Sequence, residues 1–115
     1  MVTKIAGADE TVTTDGAKKS LVVSAEAARL FSASFWNTSA ADKYLMFFDA
    51  AAVPADGSKP KLICLCPTKF AASMDFIDGR RFSTGIVVVV STTEPTLTIS
   101  ATDDGLMDVN FRRGF

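Results

Sequence analysis

The 115-residue chain contains no histidine, one tryptophan, one tyrosine and two cysteines. Without histidine the usual serine triad has no base, and no Gly-x-Ser-x-Gly elbow occurs. The seven glycines are scattered as single turn residues, so no phosphate-cradling loop is present. A charge excess is missing as well: 12 Lys plus Arg against 13 Asp plus Glu leave a formal charge of −1. Such a chain has little to neutralise a phosphate backbone, which argues against nucleic acid as the partner. No apolar run reaches the length of a membrane span, and no apolar stretch of the kind found in secretion signals follows Met1-Val2-Thr3-Lys4. These absences imply no membrane contact and a protein kept in a cytoplasm, or in a particle assembled there.

Cys64 and Cys66 are one residue apart, and a bridge between them would close a small, strained loop. They read as buried free thiols in a reducing compartment. Two thiolates without a histidine fall short of a zinc site, so no metal or other cofactor is expected. Three carboxylate pairs are candidates for acid–base work: Asp49 with Asp56, Asp75 with Asp78, and Asp103 with Asp104. Each falls at an expected strand end or turn, where Asp is favoured for its backbone hydrogen bonds. Calcium at Asp103-Asp104-Gly105 would lack oxygen ligands. Lys43, Lys59 and Lys69 are possible bases, but nothing in the sequence ties one to a serine. No enzyme is expected.

Apolar residues make up 48% of the chain, and they concentrate in three runs. These are Tyr44-Leu45-Met46-Phe47-Phe48, Leu62-Ile63-Cys64-Leu65-Cys66 and Ile86-Val87-Val88-Val89-Val90. Successive side chains of a strand point to opposite faces, so a sheet with one wet face alternates apolar and polar. These runs do not alternate. A second sheet can cover one face, and another protein is the expected cover for the other.

Residues 1–17 are polar and read as an N-terminal arm, with Ile5 and Val12 as anchors and one short strand over Glu10 to Thr14. Residues 18–115 read as one β-sandwich domain. Its strands are expected at Ser20 to Ser24, Arg29 to Trp36, Tyr44 to Phe48, Leu62 to Cys66, Phe70 to Ile77, Arg80 to Ser91, Thr96 to Ser100 and Leu106 to Arg112. In the second of these, Phe31, Ala33 and Phe35 share one face. Leu97 and Ile99 share a face, as do Met107, Val109 and Phe111. Asp56-Gly57 and Asp78-Gly79 mark turns, and Pro54 and Pro60 bar regular pairing in the long connection from Asp49 to Lys61. Gly85 inside a strand pattern signals a bulge or a close backbone approach. Ser24 to Leu30 carries the one competing helical signal, enough for a single turn. About eight or nine short strands, spaced roughly 8–12 residues apart, predict an all-β antiparallel sandwich, jelly-roll-like.

Trp36 and Tyr44 flank the Asn37 to Lys43 loop and could stack on a sugar, although large aromatics more often pack in cores or interfaces. Arg80-Arg81 and Arg112-Arg113 read as solvated strand ends, with rim contacts to an acidic neighbour as their functional reading.

Two stretches of the chain resemble a known family. Trp36-Asn37-Thr38-Ser39, Tyr44 to Asp49 and Val53-Pro54-Ala55-Asp56-Gly57-Ser58-Lys59-Pro60 form the first. Arg81-Phe82-Ser83-Thr84-Gly85-Ile86 and Ser91-Thr92-Thr93 form the second. Together they are similar to small structural proteins of tailed bacteriophages. The resemblance covers the stretch from Trp36 to Thr93 and rests on turns and strands, not catalytic motifs. It implies a virion component, a capsid cement or decoration protein, located on the capsid surface after assembly in the host cytoplasm. Its partners would be other copies of itself and the major capsid protein. Self-contact is expected through Tyr44, Met46, Phe48, Ile63, Leu65, Val87 and Val89, and capsid contact through the arm with Ile5 and the loop with Val53 and Pro54. The alternative is a tail- or fibre-associated module that binds a host-surface glycan through Trp36 and Tyr44.

Overall fold

The computed structural model describes residues 10–103 and 105–114 of the chain. Eight strands follow one another: β1 (Glu10–Thr13), β2 (Ser20–Ser24), β3 (Ala28–Asn37), β4 (Lys43–Asp49), β5 (Leu62–Cys66), β6 (Ala71–Phe82), β7 (Ile86–Ser91) and β8 (Gly105–Arg113). They form two four-stranded antiparallel sheets, ordered β1-β8-β3-β6 and β2-β7-β4-β5. We call them sheets A and B. The pairs β1·β8, β2·β7, β3·β6 and β4·β5 nest inside one another. The chain is thus one long antiparallel ribbon, rolled until β8 meets β3 and β7 meets β4.

Both sheets contribute one face to a shared core. Sheet A supplies Leu30, Ala33, Phe35, Phe82, Met107, Val109 and Phe111, and sheet B supplies Val23, Leu45, Phe47, Cys66, Ile86, Val88 and Val90. The alternation within β8 places Met107, Val109 and Phe111 inward, as their spacing predicts. In β3 the alternation is interrupted. The register of β3 shifts between Leu30 and Ser32 against both neighbours: Phe31 is an extra residue against β8, whereas residues 76–79 of β6 face it on the other side. Leu30 therefore takes the core position expected for Phe31, and Phe31 is only half-buried.

Three further expectations are corrected. The strands Phe70 to Ile77 and Arg80 to Ser91 are differently divided: β6 runs unbroken through Asp78-Gly79, and the chain breaks at residues 83–85 instead. Gly79 does adopt a positive φ of 78°, but inside an excursion of residues 76–79 opposite Phe31, where a Cβ would come within 2.9 Å of the Phe31 ring. Thr96 to Ser100 is not a strand and makes only the isolated bridge Ser91↔Ile99. No helical turn forms at Ser24 to Leu30; the Ser24 hydroxyl donates to the Glu26 carbonyl at 2.8 Å, and β3 begins at Ala28.

The break before β7 is a close approach. A Cβ on Gly85 would lie 2.4 Å from the Ala50 carbonyl oxygen and 2.5 Å from that of Ser24. Only glycine lets these three backbones meet. The short strand expected in the arm is β1, the edge of sheet A, while Ile5 lies outside the described residues.

Candidate functional site

The sandwich has two outer faces, and the apolar one is closed by the chain itself. On sheet B, Met46 and Phe48 of β4 and Val87 and Val89 of β7 point away from the shared core. Leu97, Ile99 and Ala50 pack over them, forming a second apolar layer in which Leu97 is only 1% exposed. This strap of residues 92–100 is irregular but firmly bonded. Thr98 N–H donates to the Ser91 hydroxyl at 3.0 Å, and Ser100 N–H donates to the Val90 carbonyl at 2.9 Å. The Asp56-Gly57 turn clasps its far side: Gly57 N–H donates to the Leu97 carbonyl at 2.7 Å, and the Asp56 carboxylate accepts Ile99 N–H at 2.8 Å.

Met46, Phe48, Val87 and Val89 are therefore interior residues, and the expectation that they form self-contacts is corrected. A side chain already removed from water by its own chain has no hydrophobic gain left for a partner. Tyr44 is half-buried at the margin of this layer. Ile63 and Leu65 stand apart. They lie on edge strand β5 with outward side chains, and Leu65 is 53% exposed. Val53 is exposed and Pro54 half-buried in the long connection. Of the expected contact residues, these four retain accessible apolar surface beside Tyr44.

Trp36 and Tyr44 do not meet. Phe35 and Leu45 both face the shared core, so their neighbours point outward, Trp36 from sheet A and Tyr44 from sheet B. The two aromatics lie on opposite outer faces and cannot stack on one sugar ring. Trp36 instead lines a groove of about 300 Å³ with Thr13, Ser34, Ala71, Leu106 and Asp108. It is 43% exposed, and the Asp108 carboxylate beside it accepts the Thr13 hydroxyl at 3.1 Å.

The chemistry-bearing residues act as struts. Asp49 at the end of β4 accepts the N–H groups of Thr84 at 2.7 Å, Ser83 at 3.1 Å and Gly85 at 3.3 Å, and the Ser83 hydroxyl at 3.0 Å. Burial pulls its pKa upward, but the bonds from Thr84, Ser83 and Gly85 outweigh it, and the carboxyl titrates below its ordinary range. Lys43 Nζ donates to the Ser100 hydroxyl at 3.3 Å, a lysine–serine contact that the sequence does not reveal. These residues are 9% and 1% exposed, so a substrate has no approach to that hydroxyl.

Asn37, which opens the expected Asn37 to Lys43 loop, is a buried hub. Its Nδ2 donates to the carbonyls of Ala41 at 2.9 Å and Cys66 at 3.0 Å, and its Oδ1 accepts Ser39 N–H at 2.9 Å. Cys64 and Cys66 are both free, and burial pushes both thiols up. Neither is poised as a nucleophile. Among the described residues no group of three or more Cys, Asp or Glu side chains is placed to hold a metal ion. Also among them, no helix is long and apolar enough to cross a membrane.

Comparison of the chain with protein-family models, with curated proteins and with solved structures gives no match.

Proposed function

We propose that the chain is a structural protein of a bacteriophage particle, a capsid cement or decoration protein that joins copies of itself and neighbouring shell subunits. The observation that carries this reading is the nested pairing of β1·β8, β2·β7, β3·β6 and β4·β5. That order is the pattern of a two-sheet jelly roll, an architecture used by viral capsid and lectin domains. The resemblance to phage structural proteins in Trp36 to Thr93 points the same way. The doubly apolar runs no longer argue for a partner, because the strap covers two of the three.

Among the residues expected to make contact, accessible apolar surface remains at Ile63 and Leu65 on edge strand β5 and at exposed Val53 and half-buried Pro54 in the loop. Each Å² of apolar surface removed from water contributes roughly 25 cal/mol before association costs, and symmetry repeats the gain around a shell. The test is size-exclusion chromatography with light scattering, followed by mixing with undecorated shells. Oligomers that bind shells are the expected result, and a monomer that ignores them overturns the reading.

One observation favours a second reading. The Trp36 groove combines a half-exposed indole with the Asp108 carboxylate and the Thr13 hydroxyl, the components of a sugar platform. Glycan-array binding that disappears in Trp36→Ala would select it over the cement role.

A further inference from the structure

The outer face of sheet A is organised in rows across β6, β3 and β8. The register places Arg81, Arg29 and Arg112 side by side in the first row, then Asp75, Ser32 and Asn110, then Ser73, Ser34 and Asp108. The last row is Ala71, Trp36 and Leu106. Adjacent strands lie about 4.8 Å apart, so three guanidinium-bearing side chains leave the backbone within about 10 Å. Like charges directly opposite on one face repel, and a sheet keeps such a row at a cost to its own stability.

Arg29, at the centre, is held in place. Its Nη1 donates to the Asp78 carbonyl at 3.1 Å, and Gly79 of the 76–79 excursion closes over its stem. Its Nε is buried and has no hydrogen-bond partner. A buried guanidinium N–H left unbonded is costly, so the fold holds Arg29 at this position at the expense of its own stability. Glu10 and Glu26 both pair with Arg113, each at 3.5 Å.

We propose that the Arg81–Arg29–Arg112 row is a docking site for an acidic polypeptide segment of a partner protein. Charge complementarity defines the occupant, and the neighbouring rows define its size. Asp75 and Asp108 lie further along the same face, so the positive strip is one row deep. It suits two or three carboxylates lying across the strands. A phosphate backbone crossing the face would run onto Asp75 and Asp108. The inference does not depend on the cement reading, since it concerns this row alone.

The test is fluorescence anisotropy with a fluorescein-labelled oligoglutamate peptide at low salt, using folded protein checked by circular dichroism. Arg112→Ala should weaken binding about tenfold, the loss of one charge-assisted contact. Arg29→Lys, which keeps the charge and most of the stem, should weaken it several-fold by replacing the planar guanidinium with a point charge. Arg113→Ala removes the same charge from a residue paired with Glu10 and Glu26, and should stay within twofold. No binding, or an equal loss in Arg113→Ala, overturns the proposal. So does tighter binding of an oligothymidylate of equal charge, or self-association that Arg112→Ala abolishes.

Discussion

The two outer faces of this sandwich solve opposite problems. Sheet B turns Met46, Phe48, Val87 and Val89 outward and must cover them, and it recruits Leu97 and Ile99 from an irregular strap to do so. Sheet A turns rows of Arg, Ser, Asp and Asn side chains outward and leaves them wet. Its last row, with Trp36 and Leu106, is apolar. The contrast shows that a doubly apolar strand signals burial but does not say by whom. Nine residues without regular structure replace the partner that the pattern suggests.

The comparison breaks most sharply at Phe48. If sheet B's outer face is a true interior, Phe48→Ala should cost about 3–5 kcal/mol in denaturant unfolding. A cost under about 1 kcal/mol would show that face to be open surface. Leu97→Ala tests the cover itself. Although it lies outside any strand, it should cost about 2–4 kcal/mol, because its side chain is as buried as the core.

Asp49→Asn should cost about 2 kcal/mol by weakening the clamp on Ser83, Thr84 and Gly85. Here pH gives a second measure. The folded carboxyl titrates below its ordinary value of 3.8, so its contribution is complete above that value and is lost as the pH falls through the folded pKa. Acid unfolding curves of the native chain and Asp49→Asn should therefore converge below about pH 4. Parallel curves would remove the clamp from the account.

The smallest effect on stability is expected at the edge of sheet B. Leu65→Ser should change unfolding by less than about 0.5 kcal/mol, since Leu65 is already half in water. If β5 carries the proposed self-contact, the same substitution should abolish oligomer formation measured by light scattering. Unchanged assembly would move the contact away from β5.

Much of the strand layout is legible in the chain because it depends on local signals. β-branched runs, prolines and the Asp56-Gly57 turn place β2, β4 and β5, and the alternation of Met107, Val109 and Phe111 orients β8. Gly85 announces its close approach, and the period of Leu97 and Ile99 predicts a shared face even without a strand. Other features depend on partners distant in sequence. The bulge at Phe31 follows from register with β6 and β8, which also carries β6 through Asp78-Gly79. The arginine row joins residues 29, 81 and 112, so Arg80-Arg81 and Arg112-Arg113 look like separate strand ends until β3 lies between them.

The sequence by itself determined that this protein is an all-β sandwich whose three apolar runs each feed its core, because alternation and turn chemistry act over a few residues. Only the tertiary structure decided that the second face is covered on two of the runs and left exposed at Ile63 and Leu65 on the third. The roll that sets β7 beside β4 also brings residues 92–100 and the Asp56-Gly57 turn together over the same surface. Burial is a property of composition, but cover is a property of which distant segments the fold brings into contact.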